Sequence, residues 1–222
     1  MKAFLHKNQS GQSMVELLVV LPVMMLLIFG AIQFALIYHA KITLNYAAFE
    51  AVRAGTLNHA EFDAVKEGFA RGLAPLYSYT PRGGDLVAGF QVARERVLKE
   101  FDTSEKLVRI ERLNPGFEAF EDFALETGDI PNDNLKFRSS RSKKPGHKSI
   151  QDANILHIRV TYFYPLHVPM VSSIISSAVC LLNQWRNDPA CASKEKRIPL
   201  TAVAAMRMQT RVKNSKEFYK TP

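Results

Sequence analysis

The fold of this chain is decided near its N-terminus, where the segment GQSMVE (residues 11–16) meets the apolar run LLVVLPVMMLLIFGAIQFALIY (residues 17–38). A short basic stretch, residues 1–11, comes first. Secretory signal peptides place a small residue at a cleavage site after the apolar core, whereas here the small residue Gly11 precedes it. Cleavage after Gly11 would therefore keep the apolar run on the mature protein, which would begin at Gln12.

The apolar run is long enough to span a membrane. Its length of about 22 residues corresponds to a helix of roughly 33 Å at 1.5 Å per residue, which matches a hydrocarbon core of about 30 Å. Small side chains at Gly30, Ala31 and Ala35 lie on neighbouring turns and permit close packing against another membrane helix. The alternative is a plain signal anchor with nothing packed against it. A small excess of positive charge before the run favours a cytoplasmic N-terminus.

The order of these features resembles the leader of type IV prepilins, and especially that of the TadE-like pseudopilins of tight-adherence (Tad/Flp) pilus systems. The matching residues are Gly11 at the cut, Glu16 at the fifth mature position and the apolar helix that follows. Leu17 stands where the small pilins of this class usually carry an aromatic residue, and a chain of 222 residues is too long for the small major pilin. Both departures favour a minor or assembly pseudopilin.

The resemblance implies a location, a function and partners. It implies a single-pass protein of the bacterial inner membrane, with a cytoplasmic N-terminus and its head in the periplasm. A prepilin peptidase would cleave it after Gly11, and the product would take part in assembly of a Tad/Flp-type pilus for adhesion. Its expected partners are this peptidase, the inner-membrane lipids, the major pilin and other minor pseudopilins, which it would contact through the N-terminal helix.

Glu16 is the residue to which the resemblance assigns a role in subunit docking. A carboxylate that enters the membrane costs up to a few kcal/mol, so a partner is expected to offset that cost. In the pilin picture the partner is the new amine of Gln12, on the same or a neighbouring subunit, and an α-amine with a pKa of about 7.7–8.0 is cationic at neutral pH. The alternative is that Glu16 faces water at the level of the lipid headgroups.

The remaining pattern predicts an α+β fold, in which a long N-terminal helix is followed by a globular head. We expect a leader at residues 1–11, a transmembrane and then amphipathic helix at 12–54, the head at 55–211, and a loose polar tail at 212–222. About three antiparallel strands are expected to pack on helices in the head. The family resemblance is strong over about residues 10–55 and diffuse over 150–210.

Within the head, helical and alternating patterns predict the individual elements. Asn58 and Asp85 are the expected N-caps of the second and third helices. The third helix should bury Val87, Phe90, Val92, Val97 and Leu98, and a short helix after residue 116 should dock Phe117, Phe120 and Phe123 on the core. Strands are predicted at 107–113, 155–164 and 198–210, helices at 117–125 and 170–185, and mostly loop at 128–152.

Cys180 and Cys191 are the two cysteines of the chain. Their spacing does not fit a CxxC redox or zinc motif. A disulfide between them would stabilise the fold by roughly 3 kcal/mol on the loop-entropy model and would require an oxidising compartment such as the periplasm. Two unpaired cysteines are the alternative.

Residues 136–148 carry much of the net charge of +8, since they contain six lysines and arginines and no acid. We name this segment the basic loop. The composition is typical of a solvated, mobile loop, and the functional alternative is attraction to an anionic surface. Phe137 is the one aromatic residue among the charges, so a stacking platform for nucleic-acid bases is not expected.

The sequence contains no pattern that indicates an enzyme. Histidines are scattered and form no HxxxH pair, and no nucleophile elbow of the GxSxG type occurs. We therefore expect no catalytic residue, metal or cofactor. Two other functions remain open: an uncleaved single-pass membrane scaffold of a secretion or pilus machine, and an anchored protein that binds an anionic polymer through the basic loop.

Overall fold

A long N-terminal helix, α1, extends from Gln12 to Leu57 and comprises 46 residues, or about 69 Å at 1.5 Å per residue. The structure, a computed structural model, describes residues 12–78, 84–103, 106–182, 195–215 and 218. The predicted leader, residues 1–11, lies outside the described residues. The predicted end of α1 at Ala54 was wrong, because Gly55 serves packing there: a Cβ at this position would lie 2.7 Å from side-chain atoms of Leu156 and Val65.

Two helices follow α1 in the head. Helix α2 comprises Phe62–Leu73 and continues into a 3-10 turn at Ala74–Leu76, and α3 comprises Leu86–Phe101. Asp85 caps α3 as predicted, because its side chain accepts a hydrogen bond from the backbone N–H of Val87. The prediction that Asn58 caps α2 was wrong. Its side-chain amide donates to the carbonyl of Ala54 at 2.8 Å and so closes the C-terminal end of α1.

Three antiparallel strands form one sheet in the order β1-β2-β3, as the sequence predicts. They are β1 (Val108–Asn114), β2 (Ile155–Pro165) and β3 (Arg197–Arg207). Val160 at the centre of β2 pairs with Ile110 on one side and Ala202 on the other. The even-numbered side chains of β3 are mostly the more buried ones and face α1 with those of β2. The fold is therefore α+β.

Three shorter helices complete the head: α4 (Phe117–Phe123), α5 (Ile150–Ala153) and α6 (Val171–Leu182). Helix α5 lies in the segment that the sequence predicts as mostly loop. Phe120 is buried as predicted, but Phe117 is 69% exposed. The burial prediction for Phe117 was wrong because it is the first residue of α4, and the helix turns Ala119 and Phe120 towards the core instead.

Helix α3 buries a narrower stripe of side chains than the sequence predicts. Its buried residues are Ala93, Val97 and Glu100, whereas Val87 and Val92 are exposed by 66% and 69%. The prediction for those two valines was wrong because α3 contacts the rest of the head along one side, where it meets α2, the 3-10 turn and β1.

The C-terminal segment after Arg211 is held against the head over its described residues, which corrects the prediction of a loose tail. Val212 is buried and exchanges backbone hydrogen bonds with Ile130. Phe218 is also buried and packs edge-on against Phe62, with 5.3 Å between the ring centroids. The Arg112 guanidinium lies 5.1 Å from the Phe218 ring, and burial lowers the pKa of Arg112 to about 10.

Candidate functional site: the N-terminal helix and its junction with the head

The first part of α1 presents an uncovered apolar surface. The large apolar side chains from Met14 to Ile28 are 43% to 70% exposed. The most apolar window of the helix has a mean hydropathy of 2.7 and none of it is buried within the chain. Among the described residues, α1 is the one helix long and apolar enough to cross a membrane. This surface therefore requires an apolar environment that the head does not supply.

The first buried side chain among the described ones of α1 is Gln33, a polar residue inside the apolar run. Gln33 is fully buried, and its Oε1 accepts hydrogen bonds from the backbone N–H groups of His167 at 3.2 Å and Val168 at 2.9 Å. Its Nε2 is buried without a hydrogen-bond partner. Through these hydrogen bonds, Gln33 fastens the segment between β2 and α6 to α1 at the place where one side of the helix becomes buried. The sequence marks it as a polar interruption but gives no indication of its partners.

Beyond Gln33, one face of α1 is part of the core of the head. Its buried stripe consists of small and branched apolar side chains: Ala40, Leu44, Ala47, Ala48, Ala51 and Val52. Helix α2 crosses this stripe closely, because a Cβ at Gly72 would lie 2.6 Å from Cα of Ala47 and one at Gly68 would lie 2.8 Å from the carbonyl oxygen of Glu50. The opposite face of α1 stays exposed, with Tyr38 at 69% and Tyr46 at 55%. This half of α1 therefore has one buried and one exposed face, and its predicted amphipathic character stays a prediction.

The predicted site residues of the N-terminal helix and its leader occupy the exposed part of α1 or lie outside the described residues. Gly11 lies outside them, and Gln12 is the first residue of α1. Glu16 is exposed about one turn further on. Ala31 and Ala35 are exposed, and a Cβ at Gly30 would meet nothing within 4 Å. The small residues therefore leave open space beside the helix, as packing against a neighbouring helix requires, and that packing stays a prediction.

Cys180 lies near the end of α6 and is disulfide-bonded. Cys191, the other cysteine of the chain, lies outside the described residues. The predicted pairing of the two therefore stays a prediction.

The basic loop is fastened to the head by a buried carboxylate, which the sequence does not reveal. The Asp122 side chain is 3% exposed and contacts Nδ1 of His147 at 2.5 Å and Nζ of Lys144 at 3.8 Å. Lys143 donates to the backbone carbonyl of Asp122, and Lys148 donates to Oδ1 of Asn114 at 2.7 Å. The loop is thus less free than its composition predicts, and part of its positive charge is offset locally.

A buried polar cluster connects α3 with the end of the sheet at which β3 begins. Nη1 of Arg197 lies 4.0 Å from a Glu100 carboxylate oxygen, and both side chains are less than 10% exposed. Tyr77 and Tyr162 share a hydrogen bond between their hydroxyl groups beside this pair. Burial raises the pKa of Glu100 and that of Tyr77, while the Arg197 charge acts in the opposite direction on both. Since each member is separated from the others in sequence, no local pattern indicates the cluster.

The described residues contain no group of three or more histidine, cysteine, aspartate or glutamate side chains that could hold a metal ion. His147 contacts Asp122, and Nδ1 of His167 lies 3.5 Å from the Tyr164 hydroxyl. Both contacts are explained by packing within the head. The expectations of no metal, no cofactor and no enzymatic activity stay predictions.

Comparison with known proteins identifies the segment that carries the apolar surface. The family model described as TadE-like protein matches residues 11–53. Residues 11–53 of this chain are similar to the TadE-like family. The TadE-like match begins at Gly11, includes Glu16 and ends within α1, so it covers the region where the sequence resemblance is strong. No curated protein and no solved structure matches the chain.

The TadE-like match indicates a protein associated with a Tad pilus. Together with the exposed apolar part of α1, it indicates a single-pass membrane protein of a pilus system. The head beyond residue 53 lies outside the match, so its α+β architecture rests on the structure alone.

Proposed function

We propose that this protein is a TadE-like minor pseudopilin that takes part in assembly of a Tad/Flp-type pilus used for adhesion. The observation that carries the proposal is the family match over residues 11–53, which includes the part of α1 that the head leaves uncovered. A pilus-system subunit needs such a surface, first for lipid and then for neighbouring helices.

Processing is the first step of the proposed function. The chain inserts into the bacterial inner membrane with its N-terminus in the cytoplasm and its head in the periplasm. A prepilin peptidase then cleaves after Gly11 and removes the basic leader. One feature supports this step: the small residue Gly11 lies before the apolar run, so cleavage after it keeps that run on the mature protein.

Docking is the second step. Cleavage creates an ammonium group at Gln12, which is cationic at neutral pH because an α-amine has a pKa of about 7.7–8.0. The Glu16 carboxylate of the same or a neighbouring subunit attracts this ammonium group, and the attraction is stronger in a low-dielectric environment than in water. Close packing at Gly30, Ala31 and Ala35 then brings the helices together. The major pilin and other minor pseudopilins are the partners in this step.

The mature N-terminus tests the processing step. Mass spectrometry of the protein isolated from its native membrane should give a first residue of Gln12. A Gly11→Ala variant should accumulate as the longer precursor, whereas the neighbouring control Ser10→Ala should be processed normally. A wild-type first residue other than Gln12 would contradict the processing step, and a Gly11→Ala variant with the same size and activity as the wild type would indicate an uncleaved membrane scaffold instead.

The Glu16→Gln variant tests docking separately from processing. This change keeps the size of the side chain and removes its charge, so it should leave cleavage unchanged and strongly reduce the number of assembled pili. Glu118→Gln, at an exposed position of the head, is the matched control. Normal piliation in Glu16→Gln cells would contradict the docking role.

A further inference from the structure

Helix α6 has an exposed apolar face that the pilus function does not explain. Met170, Ile174 and Leu181 are exposed by 69%, 57% and 62%, and Ala178 is exposed as well. Ile174, Ala178 and Leu181, spaced by four and three residues, lie on one side of the helix with the exposed Ser173 and Ser177 beside them. Met170 directly precedes the helix. The helix, Val171–Leu182, contains no aspartate, glutamate, lysine or arginine.

The other side of α6 is packed against the protein. Val171, Ser172 and Ser176 are buried, and the helix contacts both α1 and β3. The orientation of α6 is therefore fixed by its buried side. Because the buried side contacts α1 and β3, the opposite, apolar side faces away from the head.

The position of α6 along α1 places its first turn at the membrane boundary. Gln33 holds the backbone of His167 and Val168, which lie directly before α6. From Met14 to Gln33 the helix rises by about 28 Å, close to the hydrocarbon thickness of about 30 Å. Tyr38, 69% exposed, follows about 7 Å further along α1, where interfacial tyrosines are enriched.

We infer that α6 is an interfacial helix that rests on the lipid at the outer boundary of the membrane, with Met170, Ile174, Ala178 and Leu181 directed towards the acyl chains. The inference rests on the proposed insertion of α1. Lipid is the occupant that the structure favours because α6 begins next to Gln33, where one side of α1 becomes buried while large apolar side chains such as Phe34 stay exposed on the other. Helices with one apolar face lie at this depth in the headgroup region. The head is thereby held to the membrane at two places.

Depth-dependent tryptophan quenching tests this inference. Trp185, the single tryptophan of the chain, is replaced by phenylalanine, and one tryptophan is introduced in the full chain by Ile174→Trp or by Leu181→Trp. We call these two the α6 variants. Leu27→Trp, in the apolar part of α1, reports membrane insertion.

The control variant is Phe117→Trp, which places the tryptophan far from the membrane. Phe117 is 69% exposed and follows β1, whose Asn114 contacts the Ile155 end of β2. That end lies beside Gly55 of α1, about 33 Å beyond Gln33.

The variants are reconstituted in phosphatidylcholine vesicles brominated either near the headgroup or near the chain end. Both α6 variants should lose most of their fluorescence with the shallow bromines and little with the deep ones, and aqueous acrylamide should quench them weakly. The Phe117→Trp control should show the reverse: quenching by acrylamide and none by bromine. Circular dichroism of each variant verifies that the head is folded, and two independent positions on α6 guard against a local defect.

Three results would overturn the inference. If both α6 variants behave like the Phe117→Trp control while Leu27→Trp is quenched by lipid, α1 is inserted but α6 faces water. If both α6 variants are shielded from bromine and from acrylamide, a second copy of the chain covers the face instead of lipid. If Leu27→Trp also escapes bromine, the proposed membrane insertion itself fails, and α6 cannot be interfacial.

Discussion

The side-chain oxygen of Gln33 accepts a hydrogen bond of 2.9 Å from the backbone N–H of Val168, 135 residues further along the chain. Gln33 belongs to the helix that carries the apolar surface, and Val168 to the segment that leads from the sheet into α6. A polar contact therefore fixes the head to the helix at the place where one side of the helix becomes buried. The polar interruption of the apolar run thus has a structural role.

Replacing Gln33 by leucine should destabilise the head. The variant leaves the buried N–H of Val168 without an acceptor, and a buried unpaired polar group costs about 1–3 kcal/mol. Thermal unfolding in detergent micelles, followed by near-UV circular dichroism, measures the change. Gln91→Leu is the matched control, because Gln91 is an exposed glutamine on α3 and should change stability by less than about 0.5 kcal/mol. Equal stability of the two variants would contradict the anchoring role of Gln33.

Replacing Gly72 by alanine should weaken the crossing of α1 and α2. The new Cβ would lie 2.6 Å from Cα of Ala47, so the helices must separate, and overpacking of this kind costs about 1–3 kcal/mol. This loss should exceed the gain in helix propensity of about 1 kcal/mol. The same unfolding measurement applies.

Gly30→Ala is the control for this crossing, because a Cβ at Gly30 meets nothing within 4 Å. Its head should unfold like that of the wild type, so any defect in piliation that it causes reports contacts with other subunits. A Gly72→Ala variant as stable as Gly30→Ala would show that the crossing relaxes without strain.

The sequence predicts where the helices and strands lie better than it predicts which of their side chains are buried. The spacing of apolar residues along the chain is a local property. The predicted ends of the strands and of the long helix therefore lie within a few residues of the observed ends. Val92 and Phe117 were misplaced because burial depends on which neighbour covers a helix, and this is set by distant residues. Asn58 has cap chemistry at either end of a helix, and its local sequence does not decide between the end of α1 and the start of α2.

The candidate site divides in the same way. The junction from Gly11 to Glu16 is contiguous in sequence and matches a family pattern, so sequence alone reveals it. Gln33 and Val168 are 135 positions apart in the sequence, and Glu100 and Arg197 are 97 positions apart. Only the folded chain brings the members of each pair together. Sequence identifies Gln33 as unusual because it is polar within an apolar run, but it assigns no partner to it.

Replacing Asp122 by alanine should release the basic loop from the head. The variant removes the contacts to His147 and Lys144, and a contact to a charged group contributes about 1.5–3 kcal/mol. The loop should therefore open more often, and trypsin should cut within residues 136–148 about ten times faster or more. Glu121→Ala, at an exposed position of the same helix, should leave the cleavage rate unchanged. An unchanged rate in Asp122→Ala would show that other contacts hold the loop.

Stability should depend on pH through Glu100, whose pKa burial raises above its ordinary value of 4.5. The folded state then holds the proton more tightly than the unfolded state, so the stability that Glu100 contributes is complete below pH 4.5 and is lost as the pH rises through the raised pKa. A Glu100→Gln variant stays neutral, and Arg197 keeps its hydrogen bond to the Phe163 carbonyl at 2.8 Å. The free energy of unfolding, measured from about pH 4 to about pH 8, should therefore become increasingly larger for the variant than for the wild type as the pH rises. Exposed Glu118→Gln should show no such trend, and a difference that shrinks with rising pH would mean that the Arg197 charge outweighs burial at Glu100.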